Sequence, residues 1–208
     1  MLSSLHSVGW SPRTILDVGG YKGTWTREML RLFPAASVTL IEPNSHPELR
    51  ALPSSVRVLY EVVSAQHGPV PWYSTLTTGD SLYKETTRHY TGVVPTIRTT
   101  TTLDSLFPTE TFDFIKLDVQ GAELDVLRGG SRVVQSAEVL LLECPFAGVY
   151  NAGAPTFAET VRTLDELGFS PLDLPELHRA NGVLCQIDIL YLRTSSPLWS
   201  RIQGTLTR

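Results

Sequence analysis

Six apolar runs with strand character punctuate this chain: "TILDV" (14–18), "SVTLIE" (37–42), "VRVLYEVVS" (56–64), "FDFIKLDV" (112–119), "AEVLLLE" (137–143) and "QIDILYLR" (186–193). Helix-like stretches stand between them, and strands alternating with helices build a largely parallel sheet covered by helices. The first helix is expected after Gly23, where Trp25, Met29, Leu32 and Phe33 recur at helical spacing and Pro34 ends the run. "GAELDVLRGG" puts Leu124 and Leu127 on one face with Gly129 as a stop. "TFAETVRTLDELGF" pairs Thr156 with Glu159 as a capping box, carries Phe157, Val161 and Leu164 as its stripe, and closes at Gly168.

Residues 65–102 break the pattern. Short strands are expected over 70–75 and 94–103, separated by the polar loop "LTTGDSLYKETTRHYTG" (76–92), which is too long for a turn and reads as a lid or substrate loop. The C-terminal segment is expected to be anchored by Leu198 and Trp199 and to fray beyond them. With 208 residues, 42% of them hydrophobic, and mean hydropathy near zero, a single domain over residues 1–208 is expected, with the 65–102 region as its insertion.

Charge excludes some partners. A net charge of −4 without any basic block disfavours nucleic acid. No stretch approaches the ~20 apolar residues of a membrane span, and the N-terminus lacks a leader pattern, so a cytoplasmic protein that does not enter membranes is expected. Cys144 and Cys185 lie outside any metal-ligand or disulfide spacing and read as buried free thiols.

In an open parallel sheet, ligands bind beyond the carboxyl ends of the strands. The first such turn is "ILDVGGYKGTWT" (15–26), a D-x-G-x-x-x-G pattern carried by Asp17, Gly19 and Gly23. A dinucleotide fingerprint, G-x-G-x-x-G, aims backbone N–H groups at a pyrophosphate. A carboxylate at the strand end repels a pyrophosphate but suits a cofactor carrying an ammonium or sulfonium charge, as S-adenosylmethionine does. Glu42 ends the next strand, roughly the ~20 residues downstream at which an acid grips ribose hydroxyls. A glycine turn alone is most often a tight connection, and a terminal acid a solvated strand end. Together, in strand context, they favour a nucleoside cofactor.

"ILDVGGYKGTWT", "IEPNSHPELRAL" and "FIKLDVQGAELDVLRGG" together resemble the FkbM family of S-adenosylmethionine-dependent methyltransferases over residues 14–143. The resemblance implies an α/β class I methyltransferase (Rossmann-like) fold: a mostly parallel seven-stranded sheet, last strand antiparallel, with helices on both faces. It implies O-methylation of a hydroxyl on a sugar or other small natural product. It places Asp17 and Gly19 at the methionine end of the cofactor, Glu42 at its ribose and Asp118 at the methyl-transfer edge. Tyr21 and Gly23 in the turn, Pro43 after Glu42, Val63 beside the adenine and Ser81 on the adenosine side complete the expected cofactor set. Relatives commonly read D-V-G-A-N-x-G where this chain has Gly20 and Tyr21, and often carry an acid where Gln120 stands, a departure that weighs against a metal.

Methyl transfer needs alignment, desolvation and removal of the acceptor's proton. Asp118, at the end of a central strand, is the first candidate base; holding the cofactor or capping the next helix is the competing role. His89, in the polar loop, titrates near neutrality as a residue type. Glu143 ends the next strand and, with "CPFAGVY" behind it, could line an acceptor pocket. Glu123 reads as a helix N-terminal charge, and Lys116 as a strand residue pointing away from the pocket. No metal is expected, although Asp113, Asp118 and Glu143 could converge. A nicotinamide-dependent oxidoreductase and a non-catalytic cofactor-binding scaffold are the alternative functions, and a homo-oligomer completing the pocket fits the short N-terminal extension.

Overall fold

The computed structural model describes residues 2, 5–6, 8–148 and 150–206. Ten strands are defined among them: β1 (Thr14–Val18), β2 (Ser37–Ile41), β3 (Val56–Leu59), β4 (Val62–Val63), β5 (Gly68–Trp72), β6 (Thr96–Thr101), β7 (Phe114–Leu117), β8 (Val139–Pro145), β9 (Phe169–Ala180) and β10 (Val183–Arg193). The helices are α1 (Thr24–Leu32), α2 (Leu103–Leu106), α3 (Glu123–Gly129), α4 (Ser131–Ser136), α5 (Phe157–Glu166) and α6 (Leu198–Leu206). Seven strands form one sheet in the order β3-β2-β1-β7-β8-β10-β9. The first five run parallel, and β10 lies antiparallel to both β8 and β9.

Period-two alternation sends successive residues to opposite faces of this sheet, and both faces are covered. Ile15, Phe114 and Leu141 point into the cluster that holds Met29 of α1, Phe33 directly after it and Leu198 of α6. Leu16, Ile115 and Leu140 point into the cluster that holds Leu124 and Leu127 of α3 and Leu164 of α5. Every residue of β7 and β8 is buried, which explains their continuous apolar runs.

The caps read from sequence are in place. Thr156 and Glu159 satisfy each other's backbone N–H groups at the start of α5. Three elements differ from expectation. The run 56–64 is two strands, because β3 ends its pairing with β2 at Leu59 and the chain crosses to a second sheet, β4-β6-β5. Strand β9 lacks apolar alternation and is an edge, with Pro171 and Pro175 within it. The C-terminal segment forms α6 instead of fraying past Trp199, and residues 207–208 lie outside the described ones. Cys144 is buried, but Cys185 is only half-buried.

Candidate active site

A cleft of about 330 Å³ crosses the sheet at the carboxyl ends of the parallel strands. Its position follows from topology: β1 has β2 on one side and β7 on the other, so the chain crosses over in both directions there. Gly19, at φ +80°, lets the first turn pass against the end of β7; a Cβ on it would lie 1.8 Å from the Asp118 carbonyl oxygen. Tyr21 follows at φ +46°, in the left-handed region, and its backbone N–H points at the next strand.

That N–H donates to Glu42 Oε2 at 3.0 Å, and the Asn44 N–H donates to Glu42 Oε1 at 2.8 Å. The carboxylate is therefore fixed at the cleft wall by two backbone donors, with its other lone pairs free. Burial outweighs those bonds and pushes the Glu42 pKa up to about 7, with the charges of Asp80 and Asp17 adding to the rise. Val62, Val63, Trp72 and Leu82 make an apolar wall near this end.

Asp17 takes no place in the cleft lining. Strand period puts its side chain on the α1 face, fully buried, where Thr26 Oγ1 donates to Oδ2 at 2.6 Å. Lys116 shares that face and turns toward the site, not away from it, with Nζ 2.9 Å from Asp118 Oδ2 and 3.6 Å from Asp17 Oδ1. Burial alone would lower the lysine pKa; the charges of Asp118 and Asp17 more than offset it and hold it above its ordinary value.

Asp118 lines the cleft with its side chain 35% exposed. Gln120 Nε2 donates to Asp118 Oδ1 at 2.9 Å and to Glu143 Oε2 at 2.5 Å, tying the two carboxyls together. Burial would raise Asp118, but the Lys116 charge and the donors around it hold its carboxyl below the usual range. Glu143 goes the opposite way: burial and the neighbouring Asp118 charge push its carboxyl well above the usual range.

The row continues across the sheet. Asp188 of β10 is the register partner of Glu143 on one side and of Glu176 of β9 on the other, and all three line the cleft. Burial, with Asp118 nearby, pushes Asp188 up to about 7. Unlike Asp118 and Glu143, Asp188 makes no side-chain hydrogen bond or ion pair to another described residue.

Pro43 and Val63 line the cleft, as do Tyr21 and Gly19. Gly23 stands outside the lining and caps α1 at φ +75°. Ser81 is fully buried behind the wall, its Oγ donating to the Gln120 carbonyl at 2.8 Å and so pinning the polar loop to the turn after β7. His89 is exposed on a short 3-10 turn, Arg88–Tyr90, outside the lining, because Tyr90 takes the inward position of that turn. Asp113 lies at the other end of β7, accepting from the Arg13 and Thr14 N–H groups, so it does not converge with Asp118. Glu123 is buried, not a solvated helix charge: Oε1 accepts from the Val119 and Gly121 N–H groups at 3.0 and 3.2 Å, and burial pushes it up to about 7. The loop after β8 stays out of the lining; Phe146 packs on Phe157 instead, and Val149 lies outside the described residues.

The lining also includes Asp80 of the polar loop, one of the titratable side chains expected of a lid or substrate loop, and Trp72, His178, Glu176 and Asp188, four residues that the sequence does not single out for the site. Asp80 organises the polar loop, accepting from Asn44 Nδ2, Ser74 Oγ, Tyr90 OH and the Thr75 N–H. A signal for Asp188 was present: "QIDILYLR" puts one acid among alternating apolar residues of a strand.

Residues 17–171 match the methyltransferase FkbM domain family. No curated protein matches the chain. Among solved structures, methyltransferase FkbM from Methylobacillus flagellatus is similar at 14% identity and a TM-score of 0.56, covering 85% of this chain and 43% of its own. This chain thus spans less than half of that protein. Magnesium protoporphyrin IX methyltransferase from Synechocystis, with bound SAM, is 13% identical with a TM-score of 0.53, over 92% of this chain and 74% of its own. A Burkholderia thailandensis 1,6-didemethyltoxoflavin-N1-methyltransferase, with bound 1,6-didemethyltoxoflavin and S-adenosylhomocysteine, is 14% identical with a TM-score of 0.51, over 91% of this chain and 74% of its own. At these identities the likeness is one of fold.

Proposed function

Because the chain belongs to the FkbM methyltransferase domain family, we propose that it transfers the methyl group of S-adenosylmethionine to a hydroxyl of a small, uncharged or cationic molecule. The residues at the cleft fit that cofactor. Glu42, held by two backbone donors, presents free lone pairs to ribose hydroxyls, and the wall of Val62, Val63, Trp72 and Leu82 matches an adenine ring. When bound, the cofactor supplies an electrophilic methyl group on a positively charged sulfur.

The observation that carries the reading is the row of carboxyls running from Asp118 through Glu143 to Asp188 at the β7–β10 end of the cleft. Asp118, kept ionised by Lys116, favours positive charge at the methyl-transfer edge and accepts a hydrogen bond that orients the acceptor hydroxyl. Asp188 is the proton acceptor: its carboxyl is unengaged, and its pKa near 7 suits a base working at neutral pH. Glu143, its carboxyl pushed well above the usual range, is bridged to Asp118 through Gln120, which fixes Asp118 in place. Among the described residues the lining carries seven carboxyl side chains and no lysine or arginine, so a phosphorylated or carboxylated acceptor would meet repulsion. His178 and Glu176 on the hairpin supply hydrogen-bonding edges for that acceptor.

Incubation with methyl-labelled S-adenosylmethionine and a panel of sugars and phenols, matched in neutral, amino and phosphorylated forms, tests this reading. Methyl ethers from the neutral or amino members are expected. Methylated nitrogen or carbon as the sole product, or preference for the phosphorylated members, contradicts it.

A further inference from the structure

His46 is the residue of the cofactor end that the account above leaves without a task. It directly precedes a 3-10 turn, Pro47–Ala51, and its extended backbone turns the imidazole inward. The residue is 6% exposed, and its Nε2 is buried without a hydrogen-bond partner. A buried polar nitrogen of that kind costs stability unless it serves a ligand or a charge. Nε2 stands 3.8 Å from Glu42 Oε1, and His46 is the only ion-pair partner of Glu42 among the described residues. The ring is held there by the edge of Tyr21, with centroids 4.6 Å apart. The same Tyr21 gives its N–H to the other Glu42 oxygen, so the turn and the histidine stand on two sides of the carboxylate.

Glu42 needs that support because its surroundings oppose its charge. Asp17 on β1 and Asp80 in the polar loop both act against ionisation, and Glu48 competes for the histidine from the following turn. Arg98 of β6 reaches only the Pro43 carbonyl and Asn44 Oδ1, at 3.4 and 3.5 Å. A neutral carboxylic acid at this position would offer ribose one fewer acceptor and a competing donor.

We propose that His46 is a positioning residue of the cofactor site, its Nε2–H facing Glu42 Oε1 so that Glu42 stays a carboxylate aimed at the ribose hydroxyls. The proposal rests on the cofactor reading given above. His46 touches neither acceptor nor methyl group; it acts through Glu42.

Such a residue is recognised by coupling rather than by loss alone. Calorimetric titration with S-adenosylhomocysteine is run on the wild type, His46→Phe, Glu42→Ala and the double variant. Phenylalanine keeps the ring packed against Tyr21 and removes both nitrogens. His46→Phe is expected to weaken binding roughly ten-fold, the difference between ribose hydrogen bonds to a carboxylate and to a neutral acid. In the Glu42→Ala background the same substitution is expected to add less than about two-fold. His46→Gln, which restores a side-chain N–H, is expected to recover most of the affinity. Wild-type affinity in His46→Phe, or an equal penalty in both backgrounds, overturns the proposal while leaving the cofactor reading intact. If the wild type itself binds no S-adenosylhomocysteine, the cofactor reading falls and the proposal with it. In unsubstituted protein carrying isotope-labelled histidine, the His46 Nε2 resonance is expected to shift on adding S-adenosylhomocysteine. An unmoved resonance under saturation counts against the proposal even if no variant folds.

Discussion

Asp17 and Lys116 are register partners on β1 and β7, and the lysine Nζ stands 3.6 Å from Asp17 Oδ1 beneath the first turn of the cleft. The contact answers where the acid of the D-x-G-x-x-x-G turn goes. It holds the buried ammonium that keeps Asp118 ionised, instead of lining the cleft itself.

Lys116→Met therefore leaves a fully buried carboxylate without its cation. We expect a loss of about 3–5 kcal/mol in stability at neutral pH, the usual result of removing one partner of a buried pair. Urea denaturation measures it, and a loss below about 1 kcal/mol would mean that Thr26 alone compensates Asp17.

Asp188→Asn is expected to lower turnover of an acceptor by roughly 100- to 10,000-fold while leaving S-adenosylhomocysteine affinity within a few-fold, because asparagine cannot take a proton. In the wild type, turnover should rise as pH increases through about 7, where the Asp188 carboxyl loses its proton. Absence of that rising limb, or its survival in the variant, moves the base to another residue; Asp118 is then next in line.

The strand-helix alternation, the glycine turn and Glu42 were legible because each rests on local chemistry: apolar period, a backbone conformation, an acid at a strand end. β9 was not, since an edge strand with two prolines and an exposed face carries no alternating apolar signal. Lys116 was misread for a related reason. Its place inside a buried strand fixes the face it leaves from, but its long stem then reaches the next layer, and only the fold shows Asp17 and Asp118 waiting there. Ser81 and His89 were placed in the right loop with the wrong orientation. Asp80, which draws the loop around its carboxylate, decides which of those side chains turns inward.

Raised carboxyl pKa values have a consequence for stability. Glu123 moves from the ordinary 4.5 to about 7 on folding. Its contribution is thus full below pH 4.5 and is lost as pH rises through about 7. Glu42 and Asp188 shift in the same direction. Thermal unfolding should accordingly occur at a higher temperature at pH 6 than at pH 8. Glu123→Gln, which keeps an acceptor for the Val119 and Gly121 N–H groups, should shrink that difference. A melting temperature that climbs steadily from pH 6 to pH 8 contradicts the assignment.

Glu42→Ala is expected to weaken S-adenosylhomocysteine binding roughly ten- to hundred-fold, the ~1.5–3 kcal/mol of a hydrogen bond to a charged group. The fold should survive, since among the described residues the carboxylate accepts hydrogen bonds from the Tyr21 and Asn44 N–H groups alone, at the cleft wall, with His46 beside it at 3.8 Å. Equal affinity in variant and wild type returns Glu42 to the role of a strand end.

The central claim is that this cleft holds an adenosine cofactor of sulfonium type, and calorimetric titration of the unmodified protein tests it most directly. S-adenosylhomocysteine and S-adenosylmethionine are expected to bind at one site per chain, and NAD to give no heat beyond dilution, because the lining meets a pyrophosphate with carboxyls and no lysine or arginine. Saturable NAD binding with no response to S-adenosylhomocysteine would contradict the account at its base.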